Sequence, residues 1–211
     1  MDYRGNITTK LQGVETSIFA VMSQAANEHG ALNLSQGFPD FSISDALIER
    51  VNYHMKRGLN QYAPMPGVPV LRKNIAGKVR KIYGITYDPD LEINITAGAT
   101  QGIYSAITSI IQEGDEVIVF EPAYDSYVPS VRLNGGIIKY AQLTYPDYRI
   151  DWEQLPGLIS GQTRMIIINS PHNPTGSVLS KDDMEKLEQL VRNTNIIILS
   201  DEVYEHLIFD N

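Results

Sequence analysis

Two short runs, Met165–Ile168 and Ile196–Leu199, are apolar at every position instead of at every second one. A strand with one wet face alternates. A strand that is apolar throughout needs cover on both faces, which is the condition of a parallel sheet layered between helices. From residue 91 onward the neighbouring segments change type in a regular order. "EINITAG" reads as a strand that turns at Gly98 into the helix "ATQGIYSAITSIIQEG", and "EVIVFEP" as a short strand ending at Pro122. "GGIIKYAQL" and "RMIIINSP" are further strands, and the helix "KDDMEKLEQLVRNT" leads into the strand "NIIILSDE". This order predicts an α/β fold with a doubly wound, mostly parallel sheet and helices on both faces.

Residues 1–43 stand apart as an N-terminal arm, with one amphipathic helix from about Ser17 to Glu28, a stop at Gly30 and an irregular Gly/Pro segment after it. Residues 44–211 form the second division. Its first helix is expected to start at Ser44 or Ser42 and to stop at Gly58, with Ala46, Leu47, Ile48, Val51 and Met55 on one side. Another helix is expected over Val70–Tyr83, ended by Gly84.

Composition narrows the function classes. The 211 residues are 43% hydrophobic and 20% charged, the balance of a globular protein. Seventeen Lys and Arg against 25 Asp and Glu leave a net charge of −8, and no basic cluster appears, so nucleic acid is not the expected partner. There is no cysteine, and the four histidines lack metal-ligand spacing, so no metal site is expected. No apolar run approaches the length of a membrane span, and the polar N-terminus has no leader-like apolar stretch. A cytoplasmic enzyme that does not engage membranes is the expectation.

In open parallel sheets, ligands bind beyond the carboxyl ends of the strands, and four such ends carry polar chemistry. Gly98-Ala99-Thr100 opens a helix with small residues and a hydroxyl, which suits an anion at the positive end of the helix dipole. A plain strand-to-helix turn with Thr100 as cap fits the same residues. Tyr124, two residues past Pro122, could stack on a flat ring or pack as a rim aromatic. "INSPHNPTG" holds Asn169, Asn173 and Gly176 in a stiff loop with candidate cis bonds at Ser170-Pro171 and Asn173-Pro174; an ordinary Asn- and Pro-rich turn is the alternative. Asp201 follows a buried strand, where a lone carboxylate is costly, so it needs a cationic or hydrogen-bonding partner, with Tyr204 at i+3 beside it. A capping acid for the next turn fits that spacing as well.

Taken in order, "NLSQGFPDF", "QYAPMPG", "AGATQGIY", "EPAYDSY", "NSPHNPTG" and "SDEVYEHLIFD" resemble the fold-type I pyridoxal phosphate enzymes. More narrowly, they are similar to the class I/II aminotransferases, and closest to the methionine and kynurenine–glutamine transaminase branch. The resemblance implies pyridoxal 5'-phosphate as cofactor and assigns roles. Gly98, Ala99 and Thr100 would hold its phosphate, and Tyr124 would stack on its ring. Asn173 and Tyr204 would hydrogen-bond the phenolic oxygen, and Asp201 would pair with the ring nitrogen. Gly37 and Asn173 would border the substrate. Tyr62 would reach the phosphate of a neighbouring subunit, which makes a homodimer part of the expectation. Residues 1–43 would be the arm with a small-domain segment, and residues 44–211 the first part of the cofactor-binding large domain.

The family also needs a lysine that binds the cofactor covalently and an arginine for the substrate carboxylate. Both are expected beyond Asn211, and the chain reads as truncated at its C-terminal side, with no covalent catalytic residue of its own. Lys181 and Lys186 lie in an acidic, periodic helix and read as a solvated face. The implied reaction moves an amino group from methionine, glutamine or an aromatic amino acid to a 2-oxo acid. The alternatives are a pyridoxal phosphate C–S β-lyase, or a non-catalytic fragment that needs a partner segment. Ile18 and Phe19 are expected in the wall of the substrate pocket.

Overall fold

The computed structural model describes residues 9–11, 16–37, 39 and 41–209. Parts of the expected arm, including Phe38 and Asp40, and the last two residues lie outside that range. The chain divides into two compact units, one of residues 15–96 and one of residues 1–14 with 97–211.

The described residues of the first form three helices. Helix α1, Ile18–Glu28, starts where Ser17 Oγ accepts the Ala20 N–H at 3.3 Å, a side-chain cap for an otherwise orphan donor. Helix α2, Asp45–Lys56, follows Ser44. Helix α3, Pro69–Tyr83, opens on a proline, whose missing N–H costs nothing in a first turn, and closes on Gly84 in the left-handed conformation. Arg72 of α3 is buried. Its guanidinium donates to the Gly67 and Pro89 carbonyls and pairs with Asp90 at 3.0 Å, so the loop past α3 is clamped back onto its start.

One expectation fails in this unit. Glu92–Thr96, read as a strand from its β-branched residues, is irregular backbone. Extended chain becomes a strand only through a ladder, and none of the four strands of the sheet pairs with it. The Ile95 N–H donates instead to the Pro66 carbonyl at 3.1 Å.

The other unit is the layered α/β body. Helix α4 spans Ala99–Ile110, strand β1 Glu116–Glu121, helix α5 Tyr127–Leu133 and strand β2 Ile137–Gln142. A short 3-10 helix at Leu155–Leu158, strand β3 Thr163–Asn169, helix α6 Lys181–Val191 and strand β4 Ile197–Asp201 complete it. The strands are all parallel in the order β2-β1-β3-β4.

Successive side chains of a strand point to opposite faces, and β1 and β3 use both. Val117, Val119, Met165 and Ile167 meet Ile103 and Ile107 of α4 and Tyr127 and Val131 of α5. Ile118, Phe120, Ile166 and Ile168 meet Leu155 and Leu187 on the other side. This is why those runs are apolar throughout. The turn into β2 is tight: a Cβ at Gly136 would lie 2.6 Å from Val131 Cγ1, a contact only glycine avoids.

At the amino edge of the sheet, the buried Glu116 carboxylate accepts from Ser160 Oγ at 2.6 Å and Thr163 Oγ1 at 3.3 Å and pairs with Lys139 Nζ at 3.1 Å. These partners, Ser160 foremost, hold its carboxyl below the usual carboxylate value despite burial. Helix α6 starts with a reciprocal capping box between Ser180 and Asp183, and Trp152 Nε1 donates to the same Asp183 at 2.9 Å.

Candidate active site

The carboxyl ends of β1, β3 and β4 and the start of α4 converge on one cleft of about 250 Å³. Ala99, Thr100, Tyr124, Asn173, Asp201 and Tyr204 all line it. Residues up to 105 positions apart in sequence thus share one space, because a parallel sheet puts the end of every strand on the same edge.

Gly98 is the N-cap of α4, with φ 86°, a backbone conformation that favours glycine. Thr100 is therefore the second helical residue and not the cap, which removes the simplest alternative for it. Its hydroxyl lies 3.2 Å from the Tyr124 hydroxyl. The Tyr124 phenol thereby engages the first turn of α4, where backbone N–H groups lack intrahelical acceptors and attract an anion.

Asp201, the last residue of β4, is 8% exposed. Its Oδ2 accepts from the Tyr127 hydroxyl at 2.6 Å and its Oδ1 from the Val203 N–H at 3.2 Å. The second contact is the capping role that its spacing allowed, and it leaves room for further partners, since an ionised carboxylate accepts about four hydrogen bonds. Burial, then the Asp201 carboxylate, pushes the Tyr127 phenol far above its ordinary value, so it stays a proton donor. The chain after Asp201 is a series of turns and not a helix, yet Tyr204 still reaches the cleft.

The loop after β3 is held from several sides. Both Ser170-Pro171 and Asn173-Pro174 are cis. The buried His172 ring meets Thr175 Oγ1 at 2.8 Å through Nδ1, and burial lowers its proton affinity. The Asn173 N–H donates to Asn169 Oδ1 at 2.7 Å.

Two expected site residues, Gly37 and Tyr62, belong to residues 15–96; Tyr62 is fully exposed there. In the same unit Ile18 is exposed and Phe19 half-buried. Lys181 and Lys186 lie on α6 and pair with Glu185 and Asp182 one turn away, at 3.6 and 2.7 Å, and no lysine among the described residues lines the cleft. Among the described residues, no helix is long and apolar enough to cross a membrane, and no group of three His, Cys, Asp or Glu side chains is placed to hold a metal ion.

Tyr127 and the cleft-facing role of Asn169 were not foreseen. The signal for Tyr127 was present: it follows Tyr124 by three residues, one helical turn, in "EPAYDSY". Their rings meet edge-on, with centroids 5.7 Å apart at 73°.

Residues 29–211 match the family described as aminotransferase class I and II. The chain is 48% identical over 201 residues to methionine aminotransferase of Escherichia coli, covering 95% of this chain and 52% of that protein. A crystal structure of an Escherichia coli protein with a methionine aminotransferase function superposes with a TM-score of 0.92 at 47% identity, covering 95% of this chain and 53% of the other. N-succinyldiaminopimelate aminotransferase of Mycobacterium tuberculosis also gives 0.92, at 38% identity, over 98% of this chain and 54% of that structure. The chain spans about half the length of the curated relatives it matches. With the family match running over the sheet and every residue that lines the cleft, the chain belongs to the class I and II aminotransferases.

Proposed function

We propose that the full-length protein is a pyridoxal phosphate-dependent aminotransferase that moves an amino group from methionine, glutamine or an aromatic amino acid to a 2-oxo acid. The observation that carries this reading is the single cleft shared by the α4 N-terminus, Tyr124, Asn173, Asp201 and Tyr204. The cleft suits the cofactor chemically. It offers an anion cradle at one end, an aromatic beside it, and a buried carboxylate with spare acceptor capacity at the other.

When bound, pyridoxal phosphate supplies an electron sink for the carbanion left by loss of the substrate α-proton. The chain's own residues set the conditions for it. Gly98, Ala99 and Thr100 hold the phosphate through backbone N–H groups and a hydroxyl, and Tyr124 covers the ring. Asp201 keeps the ring nitrogen protonated by charge pairing, while Tyr127 and Val203 keep its carboxylate aimed. Asn173 and Tyr204 donate toward the phenolic oxygen. Gly37 and Asn173 border the substrate, and Tyr62 serves the neighbouring subunit of a homodimer. No lysine among the described residues lines the cleft, so the chemistry is proposed for the full-length protein and not for these 211 residues alone. A cytoplasmic location fits this metabolic role.

The test is 2-oxo acid formation from methionine, glutamine and phenylalanine by the full-length protein, with and without an acceptor 2-oxo acid. Turnover that requires the acceptor is expected. Acceptor-independent release of pyruvate and a thiol from a cysteine conjugate would overturn the transaminase reading in favour of a β-lyase.

A further inference from the structure

We infer that Asn169 is a positioning residue that sets the spacing between two polar residues of the cleft, Asp201 and Asn173. It is the last residue of β3, buried at 8% exposure, in register with Asp201 on β4. Its side-chain amide uses both ends. Nδ2 donates to the Asp201 carbonyl at 2.8 Å, and Oδ1 accepts the Asn173 N–H at 2.7 Å. The Asp201 carbonyl also takes the Ser170 N–H at 3.1 Å, so the two strand ends are laced together just where the sheet ladder stops.

A single planar group thus spans the strand that delivers the acid and the loop that delivers the amide. Neither contact can shift without moving the other, because the amide's donor and acceptor are rigidly joined. This inference rests on the reading of the cleft as a pyridoxal phosphate site, where Asp201 would serve the ring nitrogen and Asn173 the phenolic oxygen of the same ring. Asn169 acts through its bonds to the backbone of these two residues.

The experiment uses full-length protein loaded with pyridoxal 5'-phosphate. The visible absorbance of the bound cofactor is titrated against pH in the parent protein, Asn169→Ala, Asn173→Ala and the double variant. A donor held at the phenolic oxygen disfavours protonation of the chromophore beside it, so loss or displacement of Asn173 raises the midpoint. The titratable neighbours in the cleft, Asp201, Tyr124 and Tyr204, with Tyr127 behind Asp201, are unchanged across the set. Asn169→Ala is expected to raise the midpoint by roughly 0.5–1 pH unit, as for one ordinary hydrogen bond lost. The double variant should lie close to Asn173→Ala alone, the non-additivity of residues acting in series. Should Asn169→Ala not accumulate, Asn169→Ser carries the same expectation. An unchanged midpoint, even with a lowered melting temperature, or fully additive shifts, would overturn the inference and leave the cofactor reading intact. A parent protein with no visible cofactor band would overturn both.

Discussion

The Tyr127 hydroxyl donates to Asp201 Oδ2 at 2.6 Å across 74 residues of sequence. Tyr127 is buried at the start of α5, against the edge of the Tyr124 ring, and the acid ends β4. The contact ties the start of α5 to the end of β4. It also gives a buried carboxylate a neutral donor in place of a countercharge, which leaves its negative charge available to a ligand.

Replacing Tyr127 by Phe should therefore weaken pyridoxal phosphate binding to the full-length apoprotein by about tenfold or more, the effect of one hydrogen bond to a charged group. Because burial and Asp201 raise the phenol above its ordinary value of 10.0, it is protonated in the folded state below that pH, and its own titration should add no pH dependence to the loss there. Fluorescence titration of the apoprotein at several pH values checks both points.

Asp201→Asn keeps shape and removes charge. The buried side chain keeps one acceptor, for Tyr127 or for the Val203 N–H but not for both, so a modest fall in melting temperature is expected along with loss of the electrostatic support for the ring nitrogen. A fall of about 10²–10³ in kcat is expected, the size typical of losing one preorganised electrostatic partner. Steady-state 2-oxo acid formation measures it, and a rate within threefold of the parent would contradict the role given to Asp201.

Thr100 and Tyr124 meet through their hydroxyls at 3.2 Å at the start of α4. Thr100→Val is expected to raise the Kd for pyridoxal phosphate about tenfold, and to weaken competition by inorganic phosphate in step, because one donor to the anion is lost. Tyr124→Phe keeps the ring and should cost less. Competition titrations that leave phosphate unaffected in Thr100→Val would place the anion elsewhere.

Glu116 makes a prediction about stability. Its folded-state carboxyl lies below the ordinary value of 4.5, so its stabilisation is fully present above that pH and is lost as pH falls through the depressed value. Glu116→Gln should melt at a lower temperature than the parent near neutral pH, with the gap closing on acidification. Thermal melts from pH 7 downward read the difference, and a gap that widens in acid would contradict the assignment.

Much of this was legible in the chain because its physical cause is local. Ile166 and Ile198 belong to runs that must be covered on both faces, so a parallel sheet with two helical layers followed from them. Gly84 ends α3 as its freedom at positive φ requires. The polar residues after each strand were recognisable because strand ends are where such sheets bind.

What escaped depended on partners remote in sequence. Glu92–Thr96 has the composition of a strand, but a ladder is made by a neighbour, and the four-stranded sheet does not supply one. Helix α5 was missed because its seven residues, with Pro129 inside the first turn, carry too little periodicity. The layered α/β class, most of its strands and helices and the residue types at the cleft could be read from local pattern alone. That Tyr127 faces Asp201 and that Asn169 bridges Asp201 to Asn173 came from long-range packing. Side-chain pairing of that kind is set by which strands lie side by side and in what register, and no local pattern of residues encodes that.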